Sequence, residues 1–304
     1  MNTGLPAGPV AVLTNPAAGG RRQRRLVPEI LRRLAASGHT LRVITAGSGG
    51  EAEHACAEAL TGEVAALVAV GGDGTLHTAV QAAAGSGVPF AVVPAGTGND
   101  FAVALGIPAD PLRAAEQVAA ALATGATVPV DLARVRGADG TTRWYGAVLG
   151  AGFDAVVNER ANRMRWPRGD RRYDLAIFRE LVGLRARRYR LVLDGVEQHP
   201  QAILVAVGNT GSYGGGIRIC PDADPTDGLL DVVVGHAMSR LTAVRMRGWA
   251  YQGVHVHHRL VEAHRARTVE LDAEGIVTYA DGERCLPLPV TITCEPGALR
   301  VLSP

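Results

Sequence analysis

The apolar run Ala65–Val70 breaks directly into Gly71-Gly72-Asp73-Gly74-Thr75, and a helical pattern starts at once behind it. A buried strand that passes through a glycine loop into a helix is the repeating unit of a parallel α/β sheet. The unit recurs: Phe90–Val93 is a second buried strand, followed by Pro94-Ala95-Gly96-Thr97-Gly98-Asn99-Asp100-Phe101. Upstream, Val10–Leu13 runs into Asn15-Pro16 and Gly19-Gly20, and Arg22–Ala36 carries Leu26, Ile30, Leu31 and Leu34 on one side. Leu41–Thr45 then reads as a strand and Glu51–Leu60 as a helix. The expectation is a three-layer α/β domain over residues 1–130. Its ligand belongs at the carboxyl ends of the strands, so both glycine loops fall on one edge.

After Asp131 the pattern changes to short β-type runs: Thr142–Leu149, Tyr189–Leu193, Ala202–Val207, Leu229–Val234, Thr268–Leu271, Ile276–Tyr279 and Val290–Cys294. Two helical patterns interrupt them, Tyr173–Leu184 and Leu241–Tyr251. This reads as a mostly antiparallel β-sandwich domain over 131–296.

The loops carry the chemistry. Glycine permits positive φ and lets a phosphate approach the backbone. The helix behind Gly74 offers unpaired N–H groups and a favourable dipole. Asp73 repels phosphate unless a cation lies between them, which points to Mg²⁺ held directly or through water. In the second loop Thr97 offers a hydroxyl, and Asp100 is placed to orient metal-bound water. The bland reading of either loop is a capped strand-to-helix turn. Two on successive strands favour a nucleotide site.

All 31 basic residues among the 304 are arginine. Without lysine the chain has no Walker-type phosphate loop, no protein-kinase ATP site and no Schiff-base amine. Phosphate must be held by loop N–H groups, arginine or metal. The net charge is only +2, but Glu159–Arg190 holds eleven arginines and four acids, so it carries +7 and the remainder −5. A solvated helical face explains this, and so does an anionic membrane surface, where each basic residue contributes about 1 kcal/mol. Trp166, Tyr173, Ile177 and Phe178 would then supply interfacial contacts. Nucleic acid is not expected, because no binding motif accompanies the charge.

Cys56, Cys220, Cys285 and Cys294 show no metal spacing and are expected to be reduced. His255, His257 and His258 read as a solvated or partly buried strand edge. Apolar runs such as Val64–Val70 are far too short to span a bilayer, and the N-terminus does not read as a signal peptide. The expected location is cytoplasmic, peripheral to a membrane.

Gly71–Thr75 together with Pro94–Ala102 resembles the catalytic-domain signature of diacylglycerol kinases, which sphingosine and ceramide kinases share. Asn15–Gly19 resembles the family's first nucleotide loop. Further matches follow in order: Asp131-Leu132, Gly150–Asp154, Gly208-Asn209 through Tyr213–Gly216 and Pro221, Asp227–Asp231, and Asp281-Gly282-Glu283. The whole pattern resembles the soluble bacterial lipid kinases.

The resemblance implies an α/β nucleotide domain like those of phosphofructokinase and NAD kinase, followed by a β-sandwich, with the active site between them. It implies that the chain end, 297–304, returns to the first domain. It implies transfer of the γ-phosphate of ATP to a lipid hydroxyl with Mg²⁺, and it is compatible with a homodimer. By position, Asn15, Thr45, Gly71, Gly72, Asp73, Gly74, Thr75, Gly96, Thr97, Asn99 and Asp100 should serve the nucleotide. Thr45 sits in a segment one residue longer than the family's usual spacing. Asp227, the carbonyl of Leu229 and Asp224 resemble a structural metal site; a hairpin turn explains the same residues. Asp281-Gly282-Glu283 resembles the catalytic turn, with Glu283 favoured over Asp281 as proton acceptor; its bland reading is a turn between Ile276–Tyr279 and Val290–Cys294. NAD kinases share the first loop but differ at the second. A sphingoid base, another lipid alcohol or NAD is an alternative acceptor, and a non-catalytic nucleotide- or lipid-binding module is the alternative of another class.

Overall fold

The computed structural model describes residues 5–15, 20–164, 175–176, 179–181 and 183–303. The chain divides into two compact units, Met1–Leu132 with Glu295–Pro304, and Ala133–Cys294.

In the first unit the elements alternate: β1 (Val10–Thr14), α1 (Gly20–Ala35), β2 (Leu41–Thr45), α2 (Gly49–Leu60), β3 (Ala66–Gly71), α3 (Asp73–Ala83), β4 (Pro89–Pro94), α4 (Asp100–Ala104) and α5 (Pro111–Thr124). β2, β1, β3 and β4 lie side by side in parallel. β1, β3 and β4 are buried along their whole length, because helices cover a parallel sheet on both faces. Helix α2 begins two residues earlier than the apolar pattern suggests. Ser48 Oγ accepts from Glu51 N at 3.3 Å, while Glu51 Oε2 accepts from Gly47 N at 3.0 Å. This reciprocal cap holds the entry turn. Helix α5 was not read from the sequence. Asp110 caps it through Leu112 N and Arg113 N, Pro111 opens it, and Gly125 closes it at φ 72°. Its alanine-rich buried face is too weakly apolar to stand out as a stripe.

The second unit contains β5 (Thr127–Gly137), whose first residues belong to the first unit, then β6 (Thr142–Tyr145), β7 (Val148–Gly152), α6 (Phe153–Arg163), β8 (Arg187–Arg188), β9 (Arg190–Leu193), β10 (Val196–Gln198) and β11 (Gln201–Gly208). There follow β12 (Leu230–His236), α7 (Arg240–Gln252), β13 (Val261–Ala266), β14 (Thr268–Asp272), β15 (Val277–Ala280), β16 (Glu283–Pro287) and β17 (Val290–Leu302). One sheet runs β13-β12-β11-β7-β15-β16, antiparallel throughout, with β8 on β11. A second set pairs β10, β9, β14 and the start of β17, with β5 and β6 alongside. Leu149, Val205 and Val232 from the first sheet share a core with Tyr145, Leu191, Val269 and Ile292 from the second. This is the β-sandwich. The far end of β17 lies in the first unit, where Arg300 and Val301 pair in parallel with Pro89 and Phe90 of β4. Asp131 Oδ1 accepts from Gly297 N there at 2.8 Å.

Three local expectations change. The run Thr142–Leu149 is two strands, broken at Gly146-Ala147. The histidine cluster is a short 3₁₀ turn, His255–His257, not a strand edge. Its His255 is buried with Nε2 3.1 Å from the carbonyl of Ile219. The hairpin partner of β15 is β16, not the strand at Val290. All four cysteines are free.

Candidate active site

The carboxyl ends of the parallel strands line up by register. Thr14 is paired with Thr45 on one side and Val70 on the other, and Gly71 with Pro94. Asn15, Thr45 and both glycine loops therefore share one edge of the sheet. Pro16 to Gly19 lie outside the described residues, and nothing further follows for that loop.

The two glycine loops are one structure. Asp73 accepts Asn99 N at 2.9 Å on one carboxylate oxygen and Asp100 N at 3.1 Å on the other. Ala95 N donates to the carbonyl of Gly71 at 2.8 Å. Asn99 folds its own loop, accepting from Gly96 N at 3.1 Å and donating to Gly96 O at 3.0 Å.

The reason for glycine differs from the sequence expectation. Positive φ is not used at Gly71, Gly72, Gly74, Gly96 or Gly98; in this loop pair Asn99 takes the left-handed conformation, at φ 61°. The glycines instead remove atoms. A Cβ on Gly96 would lie 2.5 Å from Gly72 Cα, one on Gly98 would strike Asp73 Oδ2, and one on Gly71 would strike Thr75 Oγ1. Thr75, expected to serve the nucleotide, does not offer its hydroxyl: Oγ1 is buried under Gly71 without a hydrogen-bond partner. Thr97 remains exposed on the second loop.

The two helix starts differ in a way that matters for anions. The first N–H groups of α4 are met by Asp73. Helix α3 has Gly72 at its N-cap and no side-chain cap. Leu76 N is the first to find an intrahelical acceptor, Gly72 O. The N–H groups of Gly74 and Thr75 lie before it at the helix end, where the dipole favours negative charge.

In the second unit, Asp281 begins the turn between β15 and β16 at φ 53°. Its carboxylate accepts Ala147 N at 2.8 Å and Gly146 N at 3.1 Å. Asn209 holds the other side of the same break, donating to Gly146 O at 2.8 Å. Asp281 thus shapes the ends of β7 and β15. Glu283, two residues on, is the first residue of β16 and is exposed. The turn presents Glu283 and anchors Asp281.

The expected metal donors are arranged as an ion-paired turn. Asp227 accepts Leu229 N at 2.9 Å on Oδ1 and the Arg265 guanidinium on Oδ2. Arg265 also lies 3.4 Å from Asp231 Oδ2. Asp224 closes a separate small turn onto Thr226 N at 3.0 Å and Thr226 Oγ1 at 2.7 Å. A cation would have to displace Arg265, so as arranged these residues do not fit one. Among the described residues, no group of three or more His, Cys, Asp or Glu side chains is placed to hold a metal ion.

Both units match known families. Residues 9–135 match the model of the diacylglycerol kinase catalytic domain, and 147–303 that of the YegS C-terminal NAD kinase beta sandwich-like domain. A "Diacylglycerol kinase" of Mycobacterium tuberculosis (strain ATCC 25618 / H37Rv) is 41% identical over 98% of this chain and 96% of its own length. The chain belongs to the diacylglycerol kinase family. Within this lipid-kinase family, a "Probable lipid kinase YegS-like" of Pseudomonas aeruginosa (strain UCBPP-PA14) is 31% identical over 88% of this chain and 86% of its own. For fold alone, a diacylglycerol kinase structure from Bacillus anthracis str. Sterne superposes with a TM-score of 0.71 at 20% identity, covering 97% of both chains. An NAD kinase from Archaeoglobus fulgidus in complex with ATP superposes at 0.54 and 16% identity, over 96% of this chain and 92% of that one. Membership supports a lipid kinase.

Asp154 was matched to a family turn but given no chemistry by the sequence. It stands in the first turn of α6 and is 8% exposed. Gly150 leaves the room its carboxylate occupies. Burial pushes this carboxyl up to about 7, while Ala155 N and the neighbouring Tyr213 hydroxyl partly offset the rise. The folded protein therefore binds this proton more tightly than the unfolded chain, whose Asp titrates near about 4. Stability from this group falls as pH rises from about 4 to about 7 and is level above, a difference on the order of 4 kcal/mol. Asp154→Asn is expected to flatten that fall in thermal melts across the same pH range. An unchanged slope would assign the pH dependence to other groups.

Proposed function

We propose that this kinase transfers the γ-phosphate of ATP to the hydroxyl of diacylglycerol, giving phosphatidic acid. The observation that carries the nucleotide part is the contrast between the two helix starts: Asp73 accepts the first N–H groups of α4, while no side chain caps α3, whose Gly74 and Thr75 N–H groups lie at a helix end that favours an anion. The Gly72–Thr75 backbone would hold phosphate there, beside the exposed Thr97 hydroxyl. Asn15 and Thr45 stand on the same sheet edge. Mg²⁺, when bound with the nucleotide, would neutralise phosphate charge, with Asp73 and Asp100 the carboxylates on hand. Both oxygens of Asp73 already accept N–H groups, which favours holding the ion through water.

The acceptor oxygen forms the new bond to the γ-phosphorus as the bridge to the β-phosphate breaks and ADP leaves. The hydroxyl proton passes to Glu283, whose exposed carboxylate is not engaged in the turn. Asp281 positions that turn through Gly146 and Ala147.

Peripheral contact with anionic membrane through 159–190, in a cytoplasmic protein, is part of this reading. Arg185, Arg187 and Arg188 are exposed. Arg160 and Arg190 are already paired, with Glu180 and with Glu197 and Glu270. Trp166, Tyr173, Ile177 and Phe178 lie outside the described residues. Among those described, no helix is long and apolar enough to cross a membrane.

The test is direct. Purified protein with ATP, Mg²⁺ and diacylglycerol in mixed micelles should yield phosphatidic acid. Product from a sphingoid base or another lipid alcohol instead would move the acceptor, and product from none of them would overturn the proposal.

A further inference from the structure

Residues 232–261 contain no acidic side chain and four arginines, at 240, 245, 247 and 259. Helix α7 lies in this stretch. Ser239 caps it through Thr242 N, and Gly253 ends it at φ 73°. Its inward face is narrow, with Met246 and Ala250 buried. The opposite face of a surface helix is ordinarily polar. Here it is not. Leu241, Val244, Gly248 and Tyr251 follow one another at spacings of three, four and three, which places them on one stripe. Leu241 is 63% exposed, Val244 53% and Tyr251 43%. At about 100° per residue, Arg240 and Arg247 border the stripe on one side and Arg245 on the other. The Arg247 guanidinium sits 5.5 Å from the centre of the Tyr251 ring. Val254, just past the helix end, is 44% exposed as well.

We propose that α7 is a membrane-docking helix, lying in the plane of a bilayer that carries anionic phospholipid, with its Leu241–Tyr251 stripe among the acyl chains. The proposal rests on the reading that the substrate is a lipid. An apolar stripe with arginines on both borders is the pattern of an interfacial helix. The arginine stems reach along the apolar surface while their heads meet lipid phosphate. Each basic residue near such a surface raises binding about fivefold. A second copy of this chain fits less well. A two-fold contact would set the same arginine-bordered stripe against itself, with no acid in the helix to answer it.

Vesicle sedimentation of the full chain without ATP tests this. The protein should pellet with vesicles of phosphatidylcholine and phosphatidylglycerol, not with phosphatidylcholine alone, and added salt should weaken the binding. L241S/V244S/Y251S and R240Q/R245Q/R247Q should each lower the bound fraction at least about tenfold, with thermal midpoints and phosphorylation of diacylglycerol in detergent micelles unchanged. Wild-type protein that ignores anionic vesicles, or helix variants that bind them equally well, overturn the proposal. So does a loss of dimer in either variant by equilibrium ultracentrifugation, which would give the stripe to a second copy. Failure of the acceptor reading is seen separately, as vesicle binding through α7 by a protein that phosphorylates no diacylglycerol.

Discussion

Glu283→Gln is expected to lower kcat by at least about a hundredfold and to leave the thermal midpoint where it was. The exposed carboxylate at the start of β16 contributes little to packing, so its loss should be felt in turnover alone. A primary alcohol is a poor nucleophile unless a base takes its proton as the P–O bond forms. Glutamine keeps the size and hydrogen bonding of the side chain and removes that basicity. Asp281→Ala should show the opposite weighting. It strips the acceptor from Gly146 N and Ala147 N and places a less tolerant residue at φ 53°, costing about 2 kcal/mol of stability. Steady-state kinetics with calorimetry on the two variants separates the roles. A Glu283→Gln enzyme of normal kcat would remove Glu283 as the base.

Asp73→Ala should cost both activity and stability. Two N–H groups at the start of α4 lose their acceptor, which costs about 2 kcal/mol. The loops then lose the tie that sets Gly72 against Gly96. Turnover should fall well over tenfold, with a raised KM for ATP, because phosphate affinity depends on the placement of those N–H groups. Asp73→Asn should fall between, since an amide oxygen can still cap but carries no charge. If Asp73→Ala melts early yet retains normal kcat and KM, the carboxylate is structural only.

Much of the loop chemistry was legible before the structure, because it is local. A strand, a glycine loop and a helix follow one another within twenty residues, and the second loop repeats the order. Capping signals are equally local, and Asp110-Pro111 with Gly125 would have disclosed α5 had the weak alanine face not hidden it. The partner of β15 was misread because the intervening run Glu283–Pro287 is short, charged and proline-bounded, and does not alternate like a strand. The purpose of the glycines was misread for a different reason. The atoms that forbid a side chain at Gly98 belong to Asp73, 25 positions earlier. The Asp227 turn shows the same limit: a carboxylate at that spacing suits a cation, but Arg265 reaches it from β13, 38 positions away.

The amino-acid sequence alone determined the two-part architecture, the placement of both glycine loops on one sheet edge, and the residues worth testing. Each of these depends on periodicity and on neighbours along the chain. Only the tertiary structure decided which carboxylates are engaged. Asp73 caps a helix from the other loop, Asp281 holds a strand break, Asp227 meets an arginine, and Glu283 is presented at the surface. The physical reason is that a carboxylate's role depends on which donors reach it, and those donors arrive from strands distant in sequence.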